Sequence, residues 1–384
     1  MRILALRPNG FVLPSIHTSL VKAFQSLEVE VLDLPVPNFS DHFRSFVENA
    51  QRGYQAVFTL DLGADRTFML NIKDLQALLR IPWIIWFVDD PEGYGFPEIC
   101  EPDWTLPFCW DQEIVQQKYS WSGMPMAYLP LATDPLVFFP AKTDSGFLYS
   151  GGVFVGSTAH PNEILHRVAR TTPEFWEDVE VIWEAYRQDF RQSLHSLSWM
   201  RLVRKTSQPR NLIQADPLCR LWVHSCVYEV GIRKRQEVVS GVLGCAGSVY
   251  GDERWRDFVD KDLYRGWVAY GDELRKIYSE STFVLDVRQP QARTGLTQRI
   301  FDASACGGAV LTEWSPELEV LFDPENELLS FHNLDEAIEM RERYLRDPRD
   351  AQKRGEKAMQ RVLAHHTYRN RAARILQALQ EFRG

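Results

Sequence analysis

The sequence predicts an α/β protein of two parallel-sheet domains facing a cleft, the second carrying a helical insertion. Three observations predict it. The chain has 384 residues, more than one hydrophobic core ordinarily organises. Short continuous apolar runs alternate with amphipathic helical patterns in two separate stretches, as strands buried on both faces of a parallel sheet do. Between the stretches the text changes to TDPLVFFPAKTDSGF (133–147), with two prolines and no periodicity, which reads as a linker.

The first stretch has strands at ILALRP (3–8), VEVLDL (29–34), AVFTLDL (56–62) and WIIWFV (83–88), and shorter ones at DWTLPFC (103–109) and MAYLPLA (126–132). HTSLVKAFQSL (17–27) puts Leu20, Val21, Phe24 and Leu27 on one helical face, and NIKDLQALLR (71–80) repeats the arrangement. After the linker, FLYSGGVFVGS (147–157) is a strand closing on small residues. Residues 160–240 are helical and aromatic, with Val179, Ile182, Tyr186, Phe190, Leu194 and Leu197 at three- and four-residue spacing. Their tryptophans Trp176, Trp183 and Trp199 read as core, or alternatively as a docking surface for a large acceptor. Strands resume at GSVYG (247–251), WVAYG (267–271), STFVLDV (281–287), AVLTEW (309–314) and ELLSF (327–331), and charged helices fill the last fifty residues. The domains are therefore expected at 1–140 and 147–365, with an insertion at about 160–240, and a terminal helix, 366–384, crossing back to the first domain.

Composition narrows the class. With 45% hydrophobic and 25% charged residues the chain is globular. A net charge of −9 argues against nucleic acid or anionic membrane bound by bulk charge. No apolar stretch approaches the ~18 residues that span a bilayer, and MRILALRPNG is too short in apolar residues for a signal peptide. Cys100, Cys109, Cys219, Cys226, Cys245 and Cys306 include no CxxC pair, so they read as free thiols of a reducing, cytoplasmic setting without a zinc site.

The chemistry concentrates after STFVLDV. The loop RQPQARTGLTQ carries Arg288, Arg293, Thr294, Gly295 and Thr297, and a helix runs from Thr297 to Gly307. A helix start with free N–H groups and flanking arginines suits a phosphate. Asp302, one turn inside, can accept from ribose hydroxyls, and Arg299 can lie across phosphate oxygens. The alternative is a surface Arg299–Asp302 ion pair worth a few tenths of a kcal/mol. Gly156 and Ser157 of FVGS, and Tyr250 and Gly251 after the next strand, occupy strand ends of the kind that surround a base and phosphates, or are plain turn chemistry. Arg233, Lys234 and Arg235 of GIRKR stand just before a helix and read as a solvated basic face. In the first domain Asp89 and Asp90 end a strand ahead of Pro91 and EGYGF, where a carboxylate serves as a base or caps a turn. His17 opens the first helix as a base near its ordinary pKa of ~6.5, or as a surface histidine.

From here the sequence resembles a family. The stretches LRKIYSESTFVLDV, TGLTQRIFDASACGGAVLTEWSPELEVLFDPENELLSF and HHTYRNRAARIL resemble the C-terminal domain of the spore-maturation-protein CgeB-like glycosyltransferases. Upstream, IPWIIWFVDDPEGYGF, YLPLATDPLVFFP and FVGS look like that family's N-terminal half and interdomain join. The resemblance implies the GT-B fold of two Rossmann-like domains, with a nucleotide-sugar donor in the C-terminal one and an acceptor in the N-terminal one. It implies that Asp302 takes the place of a ribose-gripping glutamate, that Gly295, Leu296 and Thr297 face the diphosphate, and that the loop holding Gly10 approaches the donor phosphates. It also implies metal-independent chemistry. The residue eight before Asp302, acidic in many related retaining enzymes, is Thr294 here.

The expected function is transfer of a sugar from a nucleotide-diphosphate sugar to an acceptor hydroxyl of a glycan, protein or small molecule, with inversion and without metal or other cofactor. The base is sought among Asp89, Asp90 and His17. Two alternatives stand beside it: a catalytically silent nucleotide-binding partner subunit, and a nucleotide-sugar epimerase.

Overall fold

The computed structural model describes residues 1–36, 43–50, 52–64, 71–91, 98–122, 124–141, 149–159, 171, 174–244 and 247–383. EGYGF (92–96), most of the linker's second half (142–148), residues 160–170 of the helical block and Cys245 lie outside the described residues. The chain forms two compact units, Met1–Pro135 with Val362–Gly384, and Leu136–Arg361.

The first unit is built on β1 (Arg2–Arg7), β2 (Glu30–Pro35), β3 (Ala56–Leu60), β4 (Trp83–Phe87), β5 (Thr105–Cys109) and β6 (Ala127–Tyr128). Their order is β2-β1-β3-β4-β5-β6, and every pairing is parallel. β3 and β4 are buried at each residue, which is why they read as unbroken apolar runs. The helix Leu13–Gln25 starts four residues earlier than the apolar pattern suggests, because Pro14 suits a first helical turn. MAYLPLA pairs only over Ala127–Tyr128, since Pro130 has no N–H for a ladder. The last helix, Tyr368–Arg383, packs on Leu13–Gln25. Arg371 holds it there, donating to the carbonyls of Pro130 at 2.6 Å and Leu131 at 2.9 Å.

The second unit contains β7 (Tyr149–Val155), β8 (Gly247–Tyr250), β9 (Tyr264–Gly266), β10 (Ser281–Asp286), β11 (Val310–Glu313) and β12 (Leu329–Phe331). Their order is β12-β11-β10-β7-β8-β9, again parallel throughout. The chain leaves β7 in one direction for β8 and β9, then returns to place β10 on its other side. The carboxyl ends of β7 and β10 therefore flank the point where the winding reverses, the usual ligand position in an open α/β sheet. The long helix Pro217–Leu243 packs on this sheet, and the helices Phe175–Tyr186, Leu194–Thr206 and Arg210–Ala215 pack on that helix, with Trp183, Trp222, Val227 and Val238 in the shared core.

Three local expectations are corrected, and one helical run is resolved into its parts. WVAYG is not a strand: β9 ends at Gly266, which has φ +86, and the next glycine, Gly271, has φ +117. The periodic run from Val179 to Leu197 is two helices, the second capped by Ser193, whose side chain accepts from Ser196 N. Trp183 and, in part, Trp199 are core, but Trp176 is exposed. Arg233, Lys234 and Arg235 do not precede a helix. They lie inside Pro217–Leu243, where Lys234 and Arg235 are buried rather than solvated.

Candidate functional site

At the end of β10 the strand closes on Asp286, fully buried. A carboxylate in that position survives only with a full set of donors, and it has them. Oδ1 accepts from Thr297 Oγ1 and Arg299 Nη1, both at 2.5 Å, and Oδ2 accepts from Thr312 Oγ1 at 3.0 Å. Asp286 thereby ties β10 to β11 and to the start of the helix Gln298–Ala305. Thr297 occupies the cap position of that helix, but its hydroxyl is committed to Asp286 rather than to a backbone N–H.

Arg299 extends the same network to β7. Its Nε and Nη2 both donate to the Val155 carbonyl, at 2.9 and 2.6 Å. The alternative reading, a surface Arg299–Asp302 pair, does not form, because Arg299 turns inward to the sheet. Asp302 instead accepts from Tyr270 Oη at 2.8 Å and Gln298 Nε2 at 2.9 Å.

Arg235 arrives beside Arg299 from the long helix. It donates to the carbonyls of Ser157 at 2.8 Å and Val287 at 2.7 Å, so one guanidinium joins the loops after β7 and β10. Its Nη2 has no hydrogen-bond partner among the described residues. Both guanidinium groups lie over the Phe154 ring, 4.9 and 4.7 Å from its centre. Burial, then the charge of Arg299, pulls the Arg235 pKa down to about 9. Gly156 makes the arrangement possible: a Cβ there would lie 2.6 Å from Arg235 Nη2 and 2.7 Å from Arg299 Nη2. Gly251 is required in turn, since its Cβ would lie 2.1 Å from the Gly156 carbonyl oxygen. The Tyr250 carbonyl accepts from Gly156 N at 2.9 Å, and Asp252 receives the Thr158 N–H at 2.7 Å. Ser157 is exposed at the tip.

A second buried carboxylate, Glu313 at the end of β11, accepts from Lys234 Nζ at 2.8 Å, Arg288 Nε at 3.2 Å and Arg288 N at 2.9 Å. Burial pushes its pKa up, but Lys234 and Arg288 outweigh that and hold it below the ordinary value. Arg288 is thus not a free phosphate ligand: its Nη1 also donates to the Arg293 carbonyl at 2.7 Å. Thr294, half-buried beside Arg293, donates from Oγ1 to Glu317 Oε1 at 2.9 Å, and Ser315 Oγ reaches the Thr294 carbonyl at 2.5 Å. Gly295 and Leu296 are buried and lead directly into the helix start. Arg288, Arg293, Thr294, Gly295, Leu296, Thr297, Arg299 and Asp302 are therefore gathered with Gly156, Ser157, Tyr250 and Gly251 around the carboxyl ends of β7, β8 and β10. The Arg288 and Arg299 guanidinium groups are engaged there with internal acceptors.

In the first unit, His17 is not a surface histidine. It is fully buried, its Nε2 is 3.0 Å from Asp33 Oδ1, and its Nδ1 has no hydrogen-bond partner among the described residues. Burial lowers its pKa despite Asp33. Asp33 also receives Arg7 Nη2 at 2.5 Å. Burial raises the Asp33 pKa, and the hydrogen bonds from Arg7 and His17 bring it below the ordinary value. Gly10 is exposed with φ +117, and its neighbour Asn9 donates through N to the Gly63 carbonyl at 3.2 Å. Asp89 is half-buried and Asp90 buried. Behind them stands Asp61, at the end of β3. Its Oδ1 accepts from Val88 N at 2.9 Å and Asp89 N at 3.2 Å. Burial first, then the nearby Asp89 charge, raises the Asp61 pKa well above the usual carboxylate range.

Sequence reasoning missed Asp33, Asp61, Asp286, Glu313, Glu317 and Tyr270. For two of these a signal was present: Leu60-Asp61 and Leu285-Asp286 each end an apolar strand on a carboxylate, a residue that a buried strand end keeps only with partners.

Residues 233–377 match a protein-family model described as "Glycosyl transferase-like". No curated protein matches the chain significantly in sequence. Among solved structures, sucrose-phosphate synthase from Thermosynechococcus elongatus is similar over 99% of this chain and 98% of its own, at 12% identity and a TM-score of 0.57. An alpha-glucosyltransferase in complex with UDP is similar over 99% of this chain and 100% of its own, at 10% identity and a TM-score of 0.57. HepE of Anabaena in complex with UDP-glucose is similar over the same shares, at 12% identity and a TM-score of 0.54. The two parallel six-stranded units are those of the GT-B fold. Among the described residues no helix is long and apolar enough to cross a membrane.

Proposed function

We propose that this chain is a metal-independent, inverting glycosyltransferase of the CgeB-like kind, transferring a sugar from a nucleoside-diphosphate donor to an acceptor hydroxyl. The observation that carries the reading is the assembly around Asp286. At the reversal point of the second sheet, a helix start, two small-residue loops and Arg235, a buried cation with no carboxylate partner among the described residues, converge on one spot. Such a place suits a diphosphate, whose charge meets the N–H groups of the helix start and the positive field behind them. The glycosyl transferase-like match over 233–377 supports the same assignment, and similar structures hold UDP or UDP-glucose.

In this reading Gly295, Leu296 and Thr297 face the diphosphate, Gly156, Ser157, Tyr250 and Gly251 form the opposite wall, and the base is Asp89 or Asp90. The acceptor oxygen bonds to the anomeric carbon as the bond from that carbon to the phosphate oxygen breaks. The diphosphate leaves with the electron pair, and the acceptor proton passes to the carboxylate. His17 is set aside as the base, because its ring is buried and engaged with Asp33.

The test is calorimetry of UDP, GDP, dTDP and CMP with the full chain, followed by assay of their sugar conjugates with candidate acceptors. Tight binding of one diphosphate, with sugar consumed only when acceptor is present, is the expected result. Binding without consumption would identify a nucleotide-binding module instead, and release of a free epimerised sugar would identify an epimerase.

A further inference from the structure

β3 of the first unit ends in an unusual turn. Asp61, Leu62 and Gly63 follow it with φ +41, +53 and +76, three left-handed residues in a row. Glycine adopts that backbone freely, but Asp61 and Leu62 are strained in it. Such a run persists only where its surroundings over-determine it, and here the surroundings are the ends of three other strands. The Gly63 carbonyl accepts from Asn9 N, after β1, at 3.2 Å. A Cβ on Gly63 would lie 2.5 Å from Val36 Cγ2, after β2. Asp61 Oδ1 accepts from Val88 N and Asp89 N, after β4, at 2.9 and 3.2 Å. Asp89 Oδ1 in turn accepts from Asp90 N at 2.8 Å. The buried Asp61 carboxyl therefore stands at the root of the segment that carries both candidate bases.

We infer that Asp61 is a positioning residue for the base, clamping Val88 and Asp89 so that Asp89 and Asp90 leave β4 in one fixed direction. The inference rests on the reading above that the base is one of those two. A general base works only within hydrogen-bond reach of the proton it takes, so the backbone that carries it has to be held. One oxygen accepting two successive N–H groups removes the freedom of a strand end to fray. That oxygen is itself held, because its turn is tied to the loops after β1 and β2. The charge is arranged to suit. Burial first, then Asp89, raises the Asp61 pKa well above the usual carboxylate range. The clamp thus accepts its hydrogen bonds as a neutral acid and sets no second negative charge against Asp89. Asp61 acts through Asp89 and touches no reacting atom itself.

The experiment compares wild type with Asp61→Gly, Asp61→Asn, Asp89→Asn and Asp90→Asn. It reads hydrogen exchange at the Val88 and Asp89 amides, and steady-state turnover of the donor with the acceptor found in the assay above. In wild type both amides are expected to be protected as well as those inside β4. Asp61→Gly removes the carboxyl but suits the left-handed backbone. It is expected to speed exchange at the two amides and to lower kcat ~100-fold, the size of an ångström-scale misplacement, with the donor KM unchanged. Asp61→Asn keeps an oxygen for both N–H groups and is expected to recover most of both losses. The assignment is overturned, with the base reading intact, if Asp89→Asn or Asp90→Asn is inactive while Asp61→Gly turns over like wild type. Asp61→Asn as impaired as Asp61→Gly overturns it too, since the oxygen alone would then not suffice. If Asp61→Gly does not fold, exchange in wild type decides: amides as fast as those of a surface loop exclude the clamp. If Asp89→Asn and Asp90→Asn both turn over like wild type, or wild type consumes no donor, the base reading falls and this assignment falls with it.

Discussion

Arg299 Nη1 and Asp286 Oδ1 meet at 2.5 Å inside the second unit, and the same guanidinium holds the Val155 carbonyl through two further bonds. One side chain thus locks the ends of β7 and β10 at the point where the sheet reverses. Replacing it leaves a buried carboxylate with two hydroxyl partners and no cation hydrogen-bonded to it, Arg235 being nearby but bonded to carbonyls. Arg299→Ala is expected to destabilise the second unit by about 3–5 kcal/mol. Arg299→Lys restores the charge but not the fork, and should recover only part of that. Urea unfolding followed by hydrogen exchange at β7 and β10 measures both. Unchanged protection in the alanine variant would show that the pair is not structural.

Gly156 lies against two guanidinium groups, with both Nη2 atoms inside the space of a Cβ. Gly156→Ala is expected to cost roughly 1–3 kcal/mol, as overpacked sites do. Gly251→Ala should cost more, because its Cβ meets the backbone oxygen of Gly156, which cannot swing aside as a side chain does. The order of the two variants in thermal unfolding is the check.

His17 gives the first unit a pH dependence of defined sign. Its folded-state pKa lies below the ordinary 6.5 because burial disfavours the imidazolium. As pH falls, the unfolded chain takes the proton first, so folding weakens below about 6.5. His17→Gln should flatten that part of the profile. Hydrogen-exchange protection of β1 and β2 between pH 5 and 8, in wild type and variant, reads the difference. Asp33 also has a lowered pKa, but its contribution is lost only as pH falls below the ordinary 3.8.

Asp61 runs the other way. Its folded pKa is raised, so above the ordinary 3.8 the unfolded chain releases its proton first, and folding loses free energy as pH climbs to the folded pKa. Asp61→Asn keeps an oxygen for Val88 N and Asp89 N without a charge to bury. The variant is expected to be more stable than wild type at pH 8 and no more stable at pH 4. A variant less stable at pH 8 would mean that Asp61 is ionised and paired in the fold.

The alternation of apolar strands and amphipathic helices was legible because parallel strands buried on both faces carry no polar positions to blur the pattern. WVAYG misled because its composition suits a strand, while the ladder of β9 stops at Gly266 and the chain turns at Gly271, φ +117, into the next helix. The residues of the TGLTQRIFD stretch were legible by type and spacing, yet their partners were not. Arg299 pairs with Asp286, thirteen residues away, rather than with Asp302, because the guanidinium reaches inward to a strand end instead of along the helix surface. Lys234 and Arg235 read as a solvated face, since sequence spacing carries no information on which side of a 27-residue helix meets the sheet.

The sequence by itself determined the two sheets, the helical block between strands of the second, and the helix on which the candidate donor residues sit, because periodicity and turn chemistry are local. Only the tertiary structure decided which charges are buried together. Asp286 with Arg299, Glu313 with Lys234 and Arg288, and Asp302 with Tyr270 each join residues from separate elements. A buried charge is tolerated only where a partner arrives from elsewhere in the fold, so its identity is a property of packing and not of spacing along the chain.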